Sequence, residues 1–370
     1  MEPKVRIACV GGFLGAGKTT ALLQAARGLA DQGLNVGVIT NDQGSHLVDT
    51  ALVRNSGFQV REITGGCFCC RFKDFLASIF AMTKRHSPDF IFAEAVGSCA
   101  DLAATVCRPL QEYYADQFEL TPLSILVEPA RLTEFSAGAG LGFTESVSYL
   151  FRKQLAEADL IVLNKSDLTS PPEIEDLIRK IQHLAGEIPT ITTSAVSGRG
   201  IDEWVGRLFS PRVANSTDLN LDYEIYGQAE ASLGWLNARA EIVSESRFSA
   251  SEFGEKLTAA IQERCQAADR AIAHLKILLA TTEGSDRIAL TANQAHSVWT
   301  AGGKLSPARE ASIVINARVS VDPDTLRQFV ESALVSIARE MELSATVQDL
   351  ESFSPPPPAR PQPLRVDGRA

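Results

Sequence analysis

The sequence predicts an α/β protein: a first domain on a mainly parallel sheet, then a smaller α+β domain of the split-βαβ kind. Three observations predict it. Short, apolar, β-branched runs alternate with longer amphipathic stretches up to about residue 210. A glycine-rich loop joins the first such run to the first helix. Beyond the polar, turn-rich stretch "SPRVANSTDLN" the order changes to strand, helix, several strands, helix, strand.

The elements follow in order. "VRIACVGG" reads as a buried strand and "GKTTALLQAARGLADQG" as a helix closed by Gly33. "NVGVITND" and "FQVREI" are strands, and "RFKDFLASIFAMTKRH" is an amphipathic helix. "DFIFAEAVG" is a strand that ends at an acid. "PLSILVEP" and "ADLIVLNKSD" are buried strands, the second preceded by the helix "ESVSYLFRKQLAEA". "PPEIEDLIRKIQHLA" is a helix with prolines in its first turn, where they are tolerated. "IPTITTSA" is the last strand of this set. Strands separated by helices of this length give a parallel sheet covered on both faces. In the second half, "GWLNARAEIVS", "HLKILLATT", "DRIALTA", "EASIVINARVSV" and "ATVQDLESF" read as strands. "SASEFGEKLTAAIQERCQAADRAIA" and "DPDTLRQFVESALVSIAREM" read as helices. The expected limits are a first domain over 1–210, a linker over 211–222, a second domain over 223–353 and a disordered tail over 354–370. In that tail "SPPPPARPQP" excludes a helix or central strand.

Composition narrows the function. Lys and Arg number 35 against 45 Asp and Glu, a net charge of −10, with no basic run. Nucleic-acid binding leans on clustered Lys and Arg, so no nucleic-acid partner is expected. Apolar runs such as "LSILV" and "LKILLA" are far too short to span a membrane. The N-terminal apolar run passes straight into a glycine-rich motif, unlike a signal peptide. The expected place is therefore the cytoplasm, where clustered thiols stay reduced.

Gly12-Phe13-Leu14-Gly15-Ala16-Gly17-Lys18-Thr19 fits G-x-x-x-x-G-K-[ST], with a strand before it and a helix after. Glycines let the backbone curl so that successive N–H groups face phosphate oxygens, and the helix offers its positive N-terminal end. Lys18 is placed to reach the β- and γ-phosphates and Thr19 to bind Mg²⁺; Thr20 follows in the first helical turn. This is a P-loop nucleotide-binding domain. Asn164-Lys165-Ser166-Asp167 follows a buried strand at the edge where α/β ligands bind. An aspartate accepts from both the ring N–H and the amino group of guanine, which adenine cannot match. Asp167 is therefore the base reader, Asn164 a tether to the neighbouring loop, and the Lys165 stem a cover for the base. Ser194-Ala195, after the next strand, is expected to close on the base edge through backbone N–H. GTP is the expected nucleotide.

Asp42 and Glu94 both lie just past strand ends on the phosphate side. Either can hold Mg²⁺ or orient the attacking water, so Lys18, Glu94 and Asp42 are the candidate catalytic residues. Gly97 is placed to bring an N–H near the γ-phosphate.

Three of the seven cysteines, Cys67, Cys69 and Cys70, fall within four positions behind Gly65-Gly66. As thiolates they can fold around one soft or borderline ion, Zn²⁺ being the expected one. Zinc prefers four ligands, which leaves one position for Cys99, His46 or a side chain of a client protein. Redox chemistry at Cys69 and Cys70 is the alternative.

"GGFLGAGKTT", "TNDQG", "GGCFCC", "EAVG", "NKSD" and "TSA", in this order over most of residues 5–210, resemble the CobW-type GTPases. These are relatives of the urease and hydrogenase nickel-maturation proteins. The resemblance implies GTP hydrolysis, with Lys18 and Thr19 on phosphate and Mg²⁺, Asn164 and Asp167 on guanine and Glu94 at the hydrolytic centre. It also implies Cys67, Cys69 and Cys70 as transition-metal ligands and a client metalloprotein or cofactor-dependent enzyme as partner, with a homodimer allowed. Two departures stand out. Many members continue after Asn41-Asp42 with phenylalanine, glycine and an acid, where this chain has Gln43-Gly44-Ser45. Many members also carry a histidine-rich stretch for metal storage, where this chain has five scattered histidines, which speaks against a storage role. A second reading is a nucleotide-gated scaffold that loads a cobalamin-type cofactor and holds a structural metal.

Overall fold

The computed structural model describes residues 4–41, 48, 57–136, 142–210, 212, 219–293, 295–300, 302 and 304–358. The expected nucleotide-sensing loop, with Asp42, Gln43, Gly44, Ser45 and His46, lies outside them.

The first half forms one sheet from β1 (Val5–Gly11), β2 (Val36–Asn41), β3 (Gln59–Ile63), β4 (Phe90–Glu94), β5 (Phe118–Leu120), β6 (Ser124–Val127), β7 (Leu160–Leu163) and β8 (Thr190–Thr192). Its order is β3-β2-β4-β1-β6-β7-β8, with β5 also beside β1. Every pairing is parallel. Parallel strands need crossovers, and the helices that supply them bury both faces. That is why β1, β2, β4, β6 and β7 read as nearly unbroken apolar runs. The helices are α1 (Lys18–Asp31), α2 (Phe72–His86), α3 (Arg108–Tyr113), α4 (Pro129–Ser136), α5 (Glu145–Ala156), α6 (Pro171–Ala185) and α7 (Ile201–Leu208). A π-helical turn, Ala103–Cys107, leads into α3. One face packs Phe13, Ile39, Ile79, Phe75 and Phe151; the other packs Val10, Leu22, Val38, Phe92 and Trp204. Chain order reverses across β1, so the loops after β1, β2, β4 and β7 gather at one edge.

The second sheet is antiparallel: β9 (Gly234–Phe248), β10 (Ile272–Thr281), β11 (Gly284–Leu290), β12 (Val298–Trp299), β13 (Ala308–Val319) and β14 (Ser344–Phe353). Its order, β12-β11-β10-β13-β9-β14, contains the split-βαβ core β14-β9-β13-β10, extended at one edge by β11 and β12. Helices α9 (Ala250–Ala267) and α10 (Pro323–Glu340) bury Leu257, Ile261, Val330 and Leu334 against it.

Helix α8 (Tyr223–Ala231), absent from the sequence reading, precedes this sheet. Its Tyr226 joins the first domain's core, with Leu233, Trp235, Ala271 and Ala273. Two described residues before α8 contact the first domain. Arg212 pairs with buried Asp159 at 2.6 Å, and the Asp222 N–H donates to Tyr149 Oη at 2.8 Å. Of the expected tail, residues 354–358 are described: Pro355 is buried, and Pro357 lies against the bare face of Gly227 in α8. A proline ring needs no hydrogen-bond partner, so it packs where the helix lacks a side chain. Residues 359–370 lie outside the described set. No helix among the described residues is long and apolar enough to cross a membrane.

The two sheets meet at the glycine-rich loop. Arg131 of α4 donates to the carbonyls of Ile272, Ala273 and Thr291 in the second domain. His274 is buried there, and burial, then Lys276, Arg318, Lys18 and Arg131, holds its pKa well below the ordinary imidazole value. A histidine kept neutral when folded takes up its proton only on unfolding, so stability falls as pH drops below the unfolded pKa of about 6.5. Lowering pH from 7.5 to 5.5 should therefore cost up to about 1.4 kcal/mol through this group alone. Urea melts at both pH values should show that difference shrinking in His274→Gln; an undiminished slope would remove His274 from the account.

Candidate functional site

The loop after β1 curls tightly over the sheet edge. Gly12 has φ 125°, and a Cβ there would lie 2.2 Å from the Leu126 carbonyl oxygen, so only glycine fits. Gly17 precedes α1 in the left-handed region at φ 85°. Lys18, the first residue of α1, lies buried across the loop, with Nζ 2.8 Å from the Gly12 carbonyl and 3.4 Å from that of Phe13. Thr19 Oγ1 donates to Glu94 Oε1 at 2.8 Å, and both residues are buried. The structure thus puts the hydroxyl and carboxylate expected at Mg²⁺ side by side, an oxygen donor pair suited to a hard cation.

Asn164 occupies the junction of three loops. Its Nδ2 donates to the Ala16 carbonyl at 2.9 Å, and its Oδ1 accepts from Thr193 Oγ1 at 3.1 Å and Ala195 N–H at 3.0 Å. Asp167 is exposed in the short helical turn Ser166–Leu168. Lys165, at φ 60°, turns its Nζ to Glu128 Oε1 at 2.7 Å and Thr291 Oγ1 at 3.3 Å. One expectation changes. The N–H groups of Ser194 and Ala195 are engaged by Arg199 O and Asn164 Oδ1, so neither faces outward to a base in this arrangement.

Gly97 runs against the loop: a Cβ on it would sit 2.9 Å from Leu14 N and 3.0 Å from Leu14 Cα. Two residues on, Cys99 joins the cysteine cluster. Cys67, Cys69 and Cys99 have sulfurs within 4.8 Å of one another. Cys69 Sγ lies 3.4 Å from Cys99 Sγ, and Cys70 Sγ lies 3.3 Å from Cys67 and 3.9 Å from Cys69. The expected trio therefore has a fourth thiol from the loop after β4. The sulfurs of Cys67 and Cys69 are also in close contact, so this pair, like Cys69–Cys70, is placed for oxidation, and metal binding requires the sulfurs reduced.

The fold explains the cluster locally. Phe68 is buried and stacks on Phe75 of α2 with centroids 4.3 Å apart, which pins the middle of "CFCC". Asn41, at the end of β2, accepts from Phe68 N–H at 2.9 Å and donates to Gly66 O at 2.7 Å. Gln154 of α5 donates to Gly97 O at 3.0 Å and Cys99 O at 2.8 Å, and Tyr226 Oη accepts from Ala100 N–H at 3.2 Å. Cys67 and Cys99 are buried and Cys70 exposed. Burial, then Glu157, Cys70 and Glu230, pushes the Cys99 thiol well above its ordinary value. Metal binding has to displace that proton.

A family model described as CobW/HypB/UreG, nucleotide-binding domain, matches residues 6–192. The chain belongs to the CobW/HypB/UreG family. The zinc chaperone YeiR of Escherichia coli K12 is 31% identical over 181 residues, 48% of this chain and 51% of YeiR. The zinc chaperone CobW of a Sinorhizobium species is 29% identical over 213 residues, 51% of this chain and 59% of that protein. The chain spans about half the length of these curated relatives. Among solved structures, Zn(II)-bound YjiA GTPase of Escherichia coli is 14% identical, covers 89% of this chain and 99% of its own, and has a TM-score of 0.39.

Sequence reasoning missed Glu128, Arg131, Arg287 and Thr291. Glu128 carried a readable signal, an acid closing a buried strand just as Glu94 does. Arg287 and Thr291 carried none, because they come from the second domain. If Cys99 is a ligand, Cys99→Ser should weaken Co²⁺ and Zn²⁺ binding by about tenfold or more and reduce thiolate-to-cobalt absorption in the reduced protein. An unchanged spectrum and affinity would confine the site to Cys67, Cys69 and Cys70.

Proposed function

We propose that this CobW/HypB/UreG family member is a GTP-hydrolysing metallochaperone that carries Zn²⁺ on the Cys67, Cys69, Cys70 and Cys99 cluster to a client protein. One observation carries the reading: Glu94, Gly97 and Cys99 lie on one short loop. Its first residue meets Thr19, its middle touches the phosphate cradle and its last reaches the cysteines.

GTP would sit with its phosphates on the N–H groups of the loop and the N-terminus of α1. Lys18 would leave the Gly12 and Phe13 carbonyls for the β- and γ-phosphates. Thr19 and Glu94 would hold Mg²⁺, which when bound neutralises charge on the phosphates. Asp42 shares this role in the reading. Asn164 holds the cradle to the loop that flanks the base, and Asp167 reads guanine. Water attack yields GDP and phosphate, removes the γ-phosphate contacts of Gly97, and so relaxes the segment that carries Cys99. Asn41 is a second tether, joining the end of β2 to Gly66 and Phe68 within the cysteine loop.

The fourth thiol also favours a second reading, because four thiolates can close a structural zinc site in a nucleotide-gated scaffold. The exposed Cys70 favours the carrier, since an exposed ligand can be exchanged for one from a client.

Zn²⁺ affinity of the reduced protein, measured with a non-hydrolysable GTP analogue and with GDP, should differ by about tenfold, equivalent to about 1.4 kcal/mol of coupling. Asn41→Ala should shrink the difference while leaving Zn²⁺ binding in place. Equal affinities in the wild type would sink the carrier and leave the structural metal.

A further inference from the structure

The second domain reaches the nucleotide cradle through one strand. Arg287 of β11 is buried, and its guanidinium donates to Thr20 Oγ1 at 3.1 Å and to Thr300 Oγ1 at 3.1 Å. Thr20 lies in the first turn of α1, next to Thr19. Arg287, Ala289 and Thr291 alternate along β11 and just past its end, so Arg287 and Thr291 share a face. Thr291 closes over the other end of the cradle. Its Cγ2 lies 2.8 Å from where a Cβ on Gly15 would be, and its hydroxyl bonds Glu128 Oε1 at 2.8 Å and Lys165 Nζ at 3.3 Å. One edge of the second domain thus spans the cradle from its phosphate end to its base end.

Charge converges there as well. Lys18, Arg131, Lys165 and Arg287 border the contact in a chain of net charge −10. Glu128 and Glu134 offset Lys165 and Arg131. Arg287 is set apart by where it points, at a hydroxyl of the phosphate-binding helix. A hydroxyl that accepts from a guanidinium keeps its own O–H to donate, and a phosphate bound at the first turn of a P-loop helix offers it an acceptor. The charge also strengthens that donor.

We propose that Arg287 is a positioning residue for nucleotide binding, supplied by the second domain. It holds the Thr20 hydroxyl as a donor to the α-phosphate and sets a positive charge one hydroxyl away from it. This rests on the reading that the cradle holds GTP. Because GDP and GTP share the α-phosphate, Arg287 serves both, unlike a residue that senses the γ-phosphate. Nucleotide of either kind therefore fastens the second domain to the first.

The test is fluorescence titration with labelled GDP and a labelled non-hydrolysable GTP analogue, on the full chain. The variants are Arg287→Ala, Arg287→Lys, Thr20→Val, the Arg287→Ala/Thr20→Val double variant and Lys18→Ala. Arg287→Ala should weaken both nucleotides about equally, by roughly tenfold, the size expected of a lost charge-assisted contact. Arg287→Lys should recover part of the loss, and the double variant should be little worse than either single one. A purely structural strap would lower the melting temperature without this pattern. Wild-type affinity in Arg287→Ala beside a defective Lys18→Ala would overturn the role of Arg287 and leave the cradle standing. So would a loss confined to the GTP analogue, or additive losses in the double variant. Should Arg287→Ala fail to fold, Arg287→Lys and Thr20→Val carry the test, and full affinity in both rejects the proposal. Wild-type binding in Lys18→Ala would overturn the reading of the cradle itself.

Discussion

The hydrogen bond from Thr19 to Glu94 is the contact around which the rest is arranged. It joins the first turn of α1 to the end of β4, two neighbours in space that are 75 residues apart in the chain. It exists because β1 and β4 are adjacent parallel strands, with Val10 paired to Glu94. Parallel pairing puts the two strand ends at one edge, where a hydroxyl and a buried carboxylate can serve one hard cation. Glu94 fixes the start of a loop that has nowhere else to go. It must pass Leu14 so closely that only Gly97 fits, and then it delivers Cys99 to the other cysteines.

The cysteine loop shows how a packed core can hold a polar cluster. Phe68 is sunk against Phe75, and the residues on either side are left to face one another. Asn41 satisfies the backbone groups that this tight turn would leave unpaired. Gln154 does the same for the carbonyls of Gly97 and Cys99, and Tyr226 for the N–H of Ala100. These partners come from β2, α5 and α8, so the cluster is held from three sides. Of these three, β2 ends at the same sheet edge as the glycine-rich loop, as does β4, whose following loop carries Cys99.

The second domain meets the first through a shared apolar core, to which Trp235, Ala271 and Ala273 contribute, and through polar contacts at the cradle. Arg131 gathers three of its backbone carbonyls, Thr291 bonds the Glu128–Lys165 pair, and Arg287 meets Thr20. His274 stays neutral within this ring of cations because burial and positive neighbours both oppose its protonation.

The sequence by itself determined the parallel sheet, the phosphate loop, the "NKSD" turn and the clustering of three cysteines. Each is a local pattern: burial on both faces forces apolar runs, and a phosphate loop forces glycines at fixed positions. It also marked the split-βαβ order of the second domain, because alternation and helical periodicity are local as well. Only the tertiary structure decided that Cys99 joins Cys67, Cys69 and Cys70, and that the N–H of Ala195 is committed to Asn164. The same holds for the proline segment that lies along α8 and for the edge of the second domain, with Arg287 and Thr291, that covers the cradle. These are pairings between residues tens to hundreds of positions apart, fixed by strand order and domain docking, and no local spacing encodes them.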